Sequence, residues 1–300
     1  MEKQTTNQTD ASIAEILANH WDYITGNERV DLELIGATAD MRTALREIIR
    51  EETLSTVNRI HRKPGKKRQT FYARYGKRAL DILISSAALT ATLPVNGVLF
   101  LCTLADVGRP VFFTQERSGM DEKIFRIVKF RNMTNATDAN GNLLPPKDRV
   151  TKFGKIVRKL SLDELLNFWS VLKGDMSIIG PRPLVANYQP FMSDWHRSRS
   201  NVRPGLECPM PTRGGSKRSW GDQFDNDARY AEQVSLKLDC QLLAALVKAV
   251  FDRQSSKTRG DAMRGSFMGY EKNGESINSM SVPSAFLIRL AKTMEGDAKK

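Results

Sequence analysis

Hydrophobic positions are unevenly spread along the 300 residues. Between Ala39 and Ile60, Met41, Leu45, Ile48, Ile49 and Val57 recur at roughly helical spacing and predict a helix. Residues 79–105 form a nearly continuous apolar run, with no charge between Asp81 and Asp106. That length suffices to cross a bilayer. Pro94, near its middle, removes a backbone donor and predicts a break. Val111, Phe112 and Phe113, then Ile124, Phe125, Ile127 and Val128, predict two short strands joined by a turn at Gly119. Residues 138–142 read as a polar loop. Residues 153–160 and 163–173 read as short helices, the second stopped by Gly174. Residues 177–183 read as a loop and 224–252 as a helix. The stretch from 266 onward is polar, with one short apolar helix around 286–290.

Charge changes how the apolar run is read. The net charge is +12, which calls for an anionic partner. Residues 53–80 carry no acid, while Arg59, Arg62, Lys63, Lys66, Lys67, Arg68, Arg74, Lys77 and Arg78 are basic. Pro64 and Gly65 make part of this stretch a linker. A solvated run, a nucleic-acid arm and a juxtamembrane lipid-binding patch all fit it; the apolar run that follows favours the third. Lys77 and Arg78 precede that run, and Arg109 and Arg117 follow it. Positive charge at both ends places both in the cytoplasm, so a hairpin that enters and leaves by one face is expected. The competing reading is a buried core helix. The first 20 residues have no signal-peptide pattern. Cys102, Cys208 and Cys240 are too scattered for a disulfide framework or a zinc site.

Chemistry concentrates around Ser161, Asp163 and Glu164. Taken alone, Ser161 with Glu164 is a capping box whose acids oppose the helix dipole. Around it, Arg117, Lys129, Arg158, Arg182 and Arg203 sit in short pieces punctuated by glycine or proline. Together they could form the cationic cluster that a pyrophosphate needs, with the N–H groups of the helix start adding an anion site.

Eight segments occur in order: Lys77 to Asp81, Phe113 to Gly119, Lys129 to Met133, Phe153 to Arg158, Ser161 to Leu165, Leu172 to Ser177, Gly180 to Leu184 and Val202 to Gly205. In order and spacing they resemble the bacterial sugar transferase family, the monotopic phosphoglycosyl transferases, from about residue 75 to about 245. The resemblance implies that Asp163 is a nucleophile and Glu164 the ligand of a magnesium ion. It implies that Arg158 and Arg203 contact phosphate and that Arg182 shapes the same site, with Asp175, Lys129 and Arg117 in support. The implied reaction moves a sugar 1-phosphate from a UDP-sugar to polyprenyl (undecaprenyl) phosphate, through a covalent aspartyl intermediate, as the first membrane step of exopolysaccharide or other surface glycan assembly. The chain departs from the family pattern at Leu206 to Gly215, which leaves donor choice and full activity open. A non-catalytic membrane scaffold or regulator derived from the family is therefore the alternative.

The expected fold is α+β: a re-entrant membrane helix hairpin and a small cytoplasmic domain with interfacial helices. The expected divisions are an N-terminal extension (1–60), a basic linker (61–78), the hairpin (79–107), the catalytic domain (108–252) and a C-terminal extension (253–300). The expected location is the bacterial inner membrane, with the catalytic domain in the cytoplasm. Anionic lipids are expected as partners and nucleic acid is not. Oligomeric state is open, a homodimer being the arrangement considered.

Overall fold

The computed structural model describes residues 13–65, 70–137, 144, 146–208, 219–251 and 265–297. Residues 13–19 are helical, and α1 (Trp21–Gly26), β1 (Arg29–Val30) and α2 (Ala39–Ile60) follow. Thr38 opens α2 by accepting a hydrogen bond from the Met41 N–H at 3.2 Å. Met41, Leu45, Ile49, Thr53 and Val57 recur every fourth residue and are buried along one face, as the spacing predicts.

That face is covered by the far end of the chain. There β6 (Phe267–Tyr270), β7 (Ser276–Asn278), β8 (Val282–Pro283) and α9 (Ser284–Asp297) follow one another. β1 pairs antiparallel with β8, Val30 opposite Val282. Ile24, Leu32, Met41, Leu45 and Ile49 share one core with Met268, Ile277, Leu287 and Leu290. The segments before residue 61 and after residue 264 thus form one module. A second core, containing Val57, Leu184, Tyr188, Phe191, Phe224, Phe267 and Tyr270, joins this module to the central part of the chain.

The central part begins with a π-helical turn, Tyr72–Gly76, leading into α3 (Lys77–Val107). α3 has 31 residues and is about 46 Å long if straight. Pro94 lies inside it and does not end the helix. Asp81, Ser85, Leu99 and Thr103 are its buried residues, while Leu83, Leu93 and Leu101 are 67%, 69% and 65% exposed. The helix from Tyr72 to Val107 is long and apolar enough to cross a membrane, and only 11% of its apolar window is buried. A soluble core helix buries most of its surface, so the reading of α3 as a core helix does not hold.

Both ends of α3 are bonded to the body of the chain. At its start, Asp81 Oδ1 accepts from Ser177 Oγ and from the Ile178 N–H, both at 2.9 Å. Arg78 donates to the carbonyls of Val171 (2.6 Å) and Leu172 (2.7 Å), and Lys77 pairs with Asp239 at 2.6 Å. Lys77 and Arg78, expected as lipid-facing charges, are therefore engaged internally. At the other end Asp106 accepts from Thr151 Oγ1 at 2.6 Å, and Arg131 donates to the Val107 carbonyl.

β2 (Phe112–Ser118) and β3 (Ile124–Phe130) form the expected antiparallel hairpin, from Phe112 opposite Phe130 to Ser118 opposite Ile124. Gly119 and a 3-10 turn, Met120–Glu122, connect them. α4 (Lys152–Lys159) is capped by Thr151, whose Oγ1 accepts from the Gly154 N–H at 2.8 Å. α5 (Asn167–Lys173) ends at Gly174, which holds φ +100°.

Five expectations need correction. The α-helix expected from residue 163 starts only at Asn167; a 3-10 turn, Leu162–Glu164, precedes it. Ser161 forms no capping box: it holds φ +54° and makes no side-chain cap bond. The loop expected at 177–183 begins as a buried strand, β4 (Ser177–Ile179), parallel to β5 (Gly205–Glu207). Three residues are too few to show alternation, and their partner lies far along the chain. The single helix expected over 224–252 is two, α6 (Trp220–Gln233) and α7 (Leu236–Phe251), because Val234 leaves the helical conformation and buries its side chain. The C-terminal region, expected to be mostly polar, includes Phe267 to Tyr270, which are all buried. The polar loop expected at 138–142 lies outside the described residues.

Candidate active site

The end of β3, the end of α4, the turn at 161–165 and the loop after β4 meet beside the C-terminal end of α3. Gly154 explains how α4 is seated. A Cβ there would collide with the Asn132 carbonyl oxygen, so only glycine lets the helix lie directly on the chain leaving β3. One turn further on, Arg158 Nε donates to Asn132 Oδ1 at 3.0 Å. Ser161 then reverses the chain in the left-handed region, at a cost on the order of 1 kcal/mol for a non-glycine residue.

The reversal puts Asp163 inside the protein at 8% exposure. Asn132 Nδ2 donates to Asp163 Oδ2 at 3.4 Å. Burial raises the Asp163 pKa above the usual carboxylate value; Lys129 opposes this and the Glu164 charge adds to it. Glu164 is the reverse case. Burial alone would raise it, but Arg182 and Lys129 outweigh burial and hold it below the usual value. Both cations bind the same oxygen, Glu164 Oε1: Lys129 Nζ at 2.6 Å and an Arg182 guanidinium nitrogen at 2.9 Å. Neighbouring carboxylates are thus pushed in opposite directions, the pattern by which a site separates two roles.

Lys129, Glu164 and Arg182 line a narrow cleft of about 30 Å³ together with Arg117, Asn167 and Met176. Arg117 reaches it from β2, donating to Gln115 Oε1 at 2.6 Å and to the Pro183 carbonyl at 3.1 Å. Burial and the nearby Arg182 charge lower its pKa. Arg203 and Asp175 stand apart: Arg203 Nε donates to the Gly174 carbonyl at 2.8 Å, and Asp175 pairs with Lys173 at 2.7 Å. Neither has a described bond to Asp163 or Glu164. The sequence reading gave no role to Asn132, although a signal was present. Asn132 lies two residues after the buried Phe130, in the inward phase of the strand, where a polar side chain needs a partner.

A model of the family described as "Bacterial sugar transferase" matches residues 72–253. The chain belongs to that family. The sugar-transferase match includes all the candidate residues above and leaves the terminal module outside it. EpsL of Bacillus subtilis, named as an uncharacterized sugar transferase, is 39% identical over 178 residues, 58% of this chain and 86% of its own. The UDP-glucose:undecaprenyl-phosphate glucose-1-phosphate transferase of Klebsiella pneumoniae is 38% identical over 190 residues, 60% of this chain and 41% of its own. The UDP-N-acetylgalactosamine-undecaprenyl-phosphate N-acetylgalactosaminephosphotransferase of Aeromonas hydrophila is 32% identical over 185 residues, 58% of this chain and 43% of its own. The match therefore spans less than half the length of the last two. The last two relatives are, by name, undecaprenyl-phosphate sugar-phosphate transferases.

Proposed function

We propose that the protein transfers a sugar 1-phosphate from a UDP-sugar to undecaprenyl phosphate at the cytoplasmic face of the bacterial inner membrane, in exopolysaccharide or related glycan assembly. The observation that carries this reading is the buried Asp163 beside Glu164, with Lys129, Arg158 and Arg182 around them and an exposed apolar helix alongside.

In the proposed mechanism, an Asp163 carboxylate oxygen attacks the β-phosphorus of the donor. An oxygen–phosphorus bond forms, the bond to UMP breaks, and UMP leaves with the electron pair. A phosphate oxygen of the lipid then attacks the same phosphorus, and the Asp163 carboxylate leaves. One hard displacement becomes two easier ones. Lys129, Arg158 and Arg182 neutralise the diphosphate, which draws the two cations off Glu164. The Glu164 carboxylate is then free to hold magnesium. Among the described residues no cluster of three metal-ligating side chains exists. Glu164, a single carboxylate, would fit magnesium, which takes one or two carboxylates and completes its shell with phosphate and water. Bound there, magnesium would supply charge neutralisation on the diphosphate.

The proposed topology is re-entrant. A straight crossing would put Asp81 and Asp106 on opposite sides of a hydrocarbon layer about 30 Å thick. Yet Asp81 bonds to β4 and Asp106 to Thr151 at the start of α4, elements of one compact body. A bend at Pro94 would reconcile these bonds with the exposed apolar surface. Ile156, Leu160 and Trp169 are also exposed and would lie at the interface. UMP release by purified protein, with undecaprenyl phosphate, magnesium and a panel of UDP-sugars, tests the reading. Release lost in Asp163→Asn and Glu164→Gln supports it; unchanged release in Asp163→Asn refutes the nucleophile.

A further inference from the structure

Asn132 is 8% exposed, and its amide is fully assigned by its two partners. An arginine Nε–H can only donate, so the oxygen of Asn132 must face Arg158. An ionised carboxylate can only accept, so the Asn132 Nδ2 group must face Asp163 Oδ2. Turning the amide over would place donor against donor and acceptor against acceptor. The Asn132 backbone is fixed as well, because α4 rests on its carbonyl oxygen at Gly154. α4 is in turn tied through Thr151 to Asp106 at the end of α3.

We propose that Asn132 is the positioning residue of the transfer reaction: it holds Asp163 Oδ2, leaving the other oxygen to attack, and locks Arg158 in register with it. This rests on Asp163 being the nucleophile. Asn132 would touch neither donor nor lipid; its effect passes through the two side chains it bridges. Without the Asn132 N–H the Asp163 carboxylate loses its side-chain anchor and is free to rotate off the line of attack. Displacement of a reacting group by about 1 Å costs on the order of 100-fold in rate.

Two variants separate the bonds. Asn132→Asp keeps an oxygen for Arg158 and replaces the N–H facing Asp163 by a second oxygen. Asn132→Leu removes both bonds at similar volume. The measurement is single-turnover UMP release by the full-length protein in lipid nanodiscs, with a titration of the UDP-sugar that supports turnover and a melting curve for each variant. In Asn132→Asp the release step is expected to slow by about 100-fold with KM for the donor little changed. In Asn132→Leu the same slowing is expected together with a raised KM, because Arg158 is released as well. A release rate equal to the parent's in either folded variant overturns the proposal while leaving the nucleophile reading intact. If Asn132→Asp does not fold, the decision passes to Asn132→Leu, where a raised KM without slower release overturns it. A parent protein that releases no UMP with any donor overturns both.

Discussion

Replacing Asp227 by alanine removes the carboxylate from an ion pair that is almost wholly buried. The Arg199 and Asp227 side chains are 4% and 2% exposed. Arg199 Nε and Nη2 both donate to Asp227 Oδ2, at 3.0 and 2.6 Å, and Nη2 also donates to the Arg182 carbonyl at 2.7 Å. Truncation leaves a guanidinium in the interior without this carboxylate, its face near Phe224. Removing one partner of a buried pair costs about 3–5 kcal/mol, because the remaining charge stays desolvated. For a body of this size that corresponds to a melting temperature lower by roughly 6–20 °C. The assay is thermal unfolding of detergent-solubilised protein, followed by tryptophan fluorescence. The double variant Arg199→Met/Asp227→Leu removes both charges at similar volume and should recover most of the loss. The pair also tethers the loop that carries Arg182, so donor turnover should fall in Asp227→Ala. A melting temperature within about 2 °C of the parent for Asp227→Ala would refute the reasoning.

Three other outcomes are expected. Asp163→Asn should melt at or above the parent temperature. Burial raises the folded pKa of Asp163 above its unfolded value, so the stability it contributes is lost as pH rises through the folded value, and the gap between variant and parent should widen in that direction. Burial lowers His196 below the usual histidine value, against an opposing hydrogen bond to Asp225, so its contribution is present above the unfolded value and lost as pH falls through the lowered one. Parent stability measured by urea unfolding should therefore fall from about pH 7 to pH 5, and less so in His196→Asn. Asp81→Ala strands the buried Ile178 N–H and Ser177 hydroxyl and should cost about 3 kcal/mol by unfolding in detergent; Asp81→Asn, which keeps the accepting oxygen, should cost less.

Long periodic segments were legible in the sequence because local pattern decides them. α2 spans the residues that its apolar spacing predicts, and the β2–β3 hairpin follows from two apolar runs around Gly119. β4 was not legible, because its stability comes from a parallel partner more than twenty residues away and from burial of all three residues. The left-handed Ser161 was hidden for a related reason. Its sequence suits a capping box, and tertiary packing imposes the reversal. At the candidate site the charged residues stood out, since basic side chains beside glycine and proline are conspicuous. Asn132 did not: its one trace in the sequence is a polar residue at an inward strand position, and its partners are set only when α4 brings Arg158 to one side of it and the turn brings Asp163 to the other.

The shared core of the terminal module sets an order of assembly. β1 cannot find β8, nor α2 cover its apolar face, until the last strands have left the ribosome. By then α3 has long since emerged and can already lie in the bilayer. The module would close last, as a clasp around a chain already committed to the membrane, and closing so long a loop is slow. Until it shuts, Met41, Leu45 and Ile49 lack the part of their core that Met268, Ile277, Leu287 and Leu290 supply. A nascent chain stalled before residue 265 would therefore be marked for proteolysis at its beginning rather than at its unfinished end.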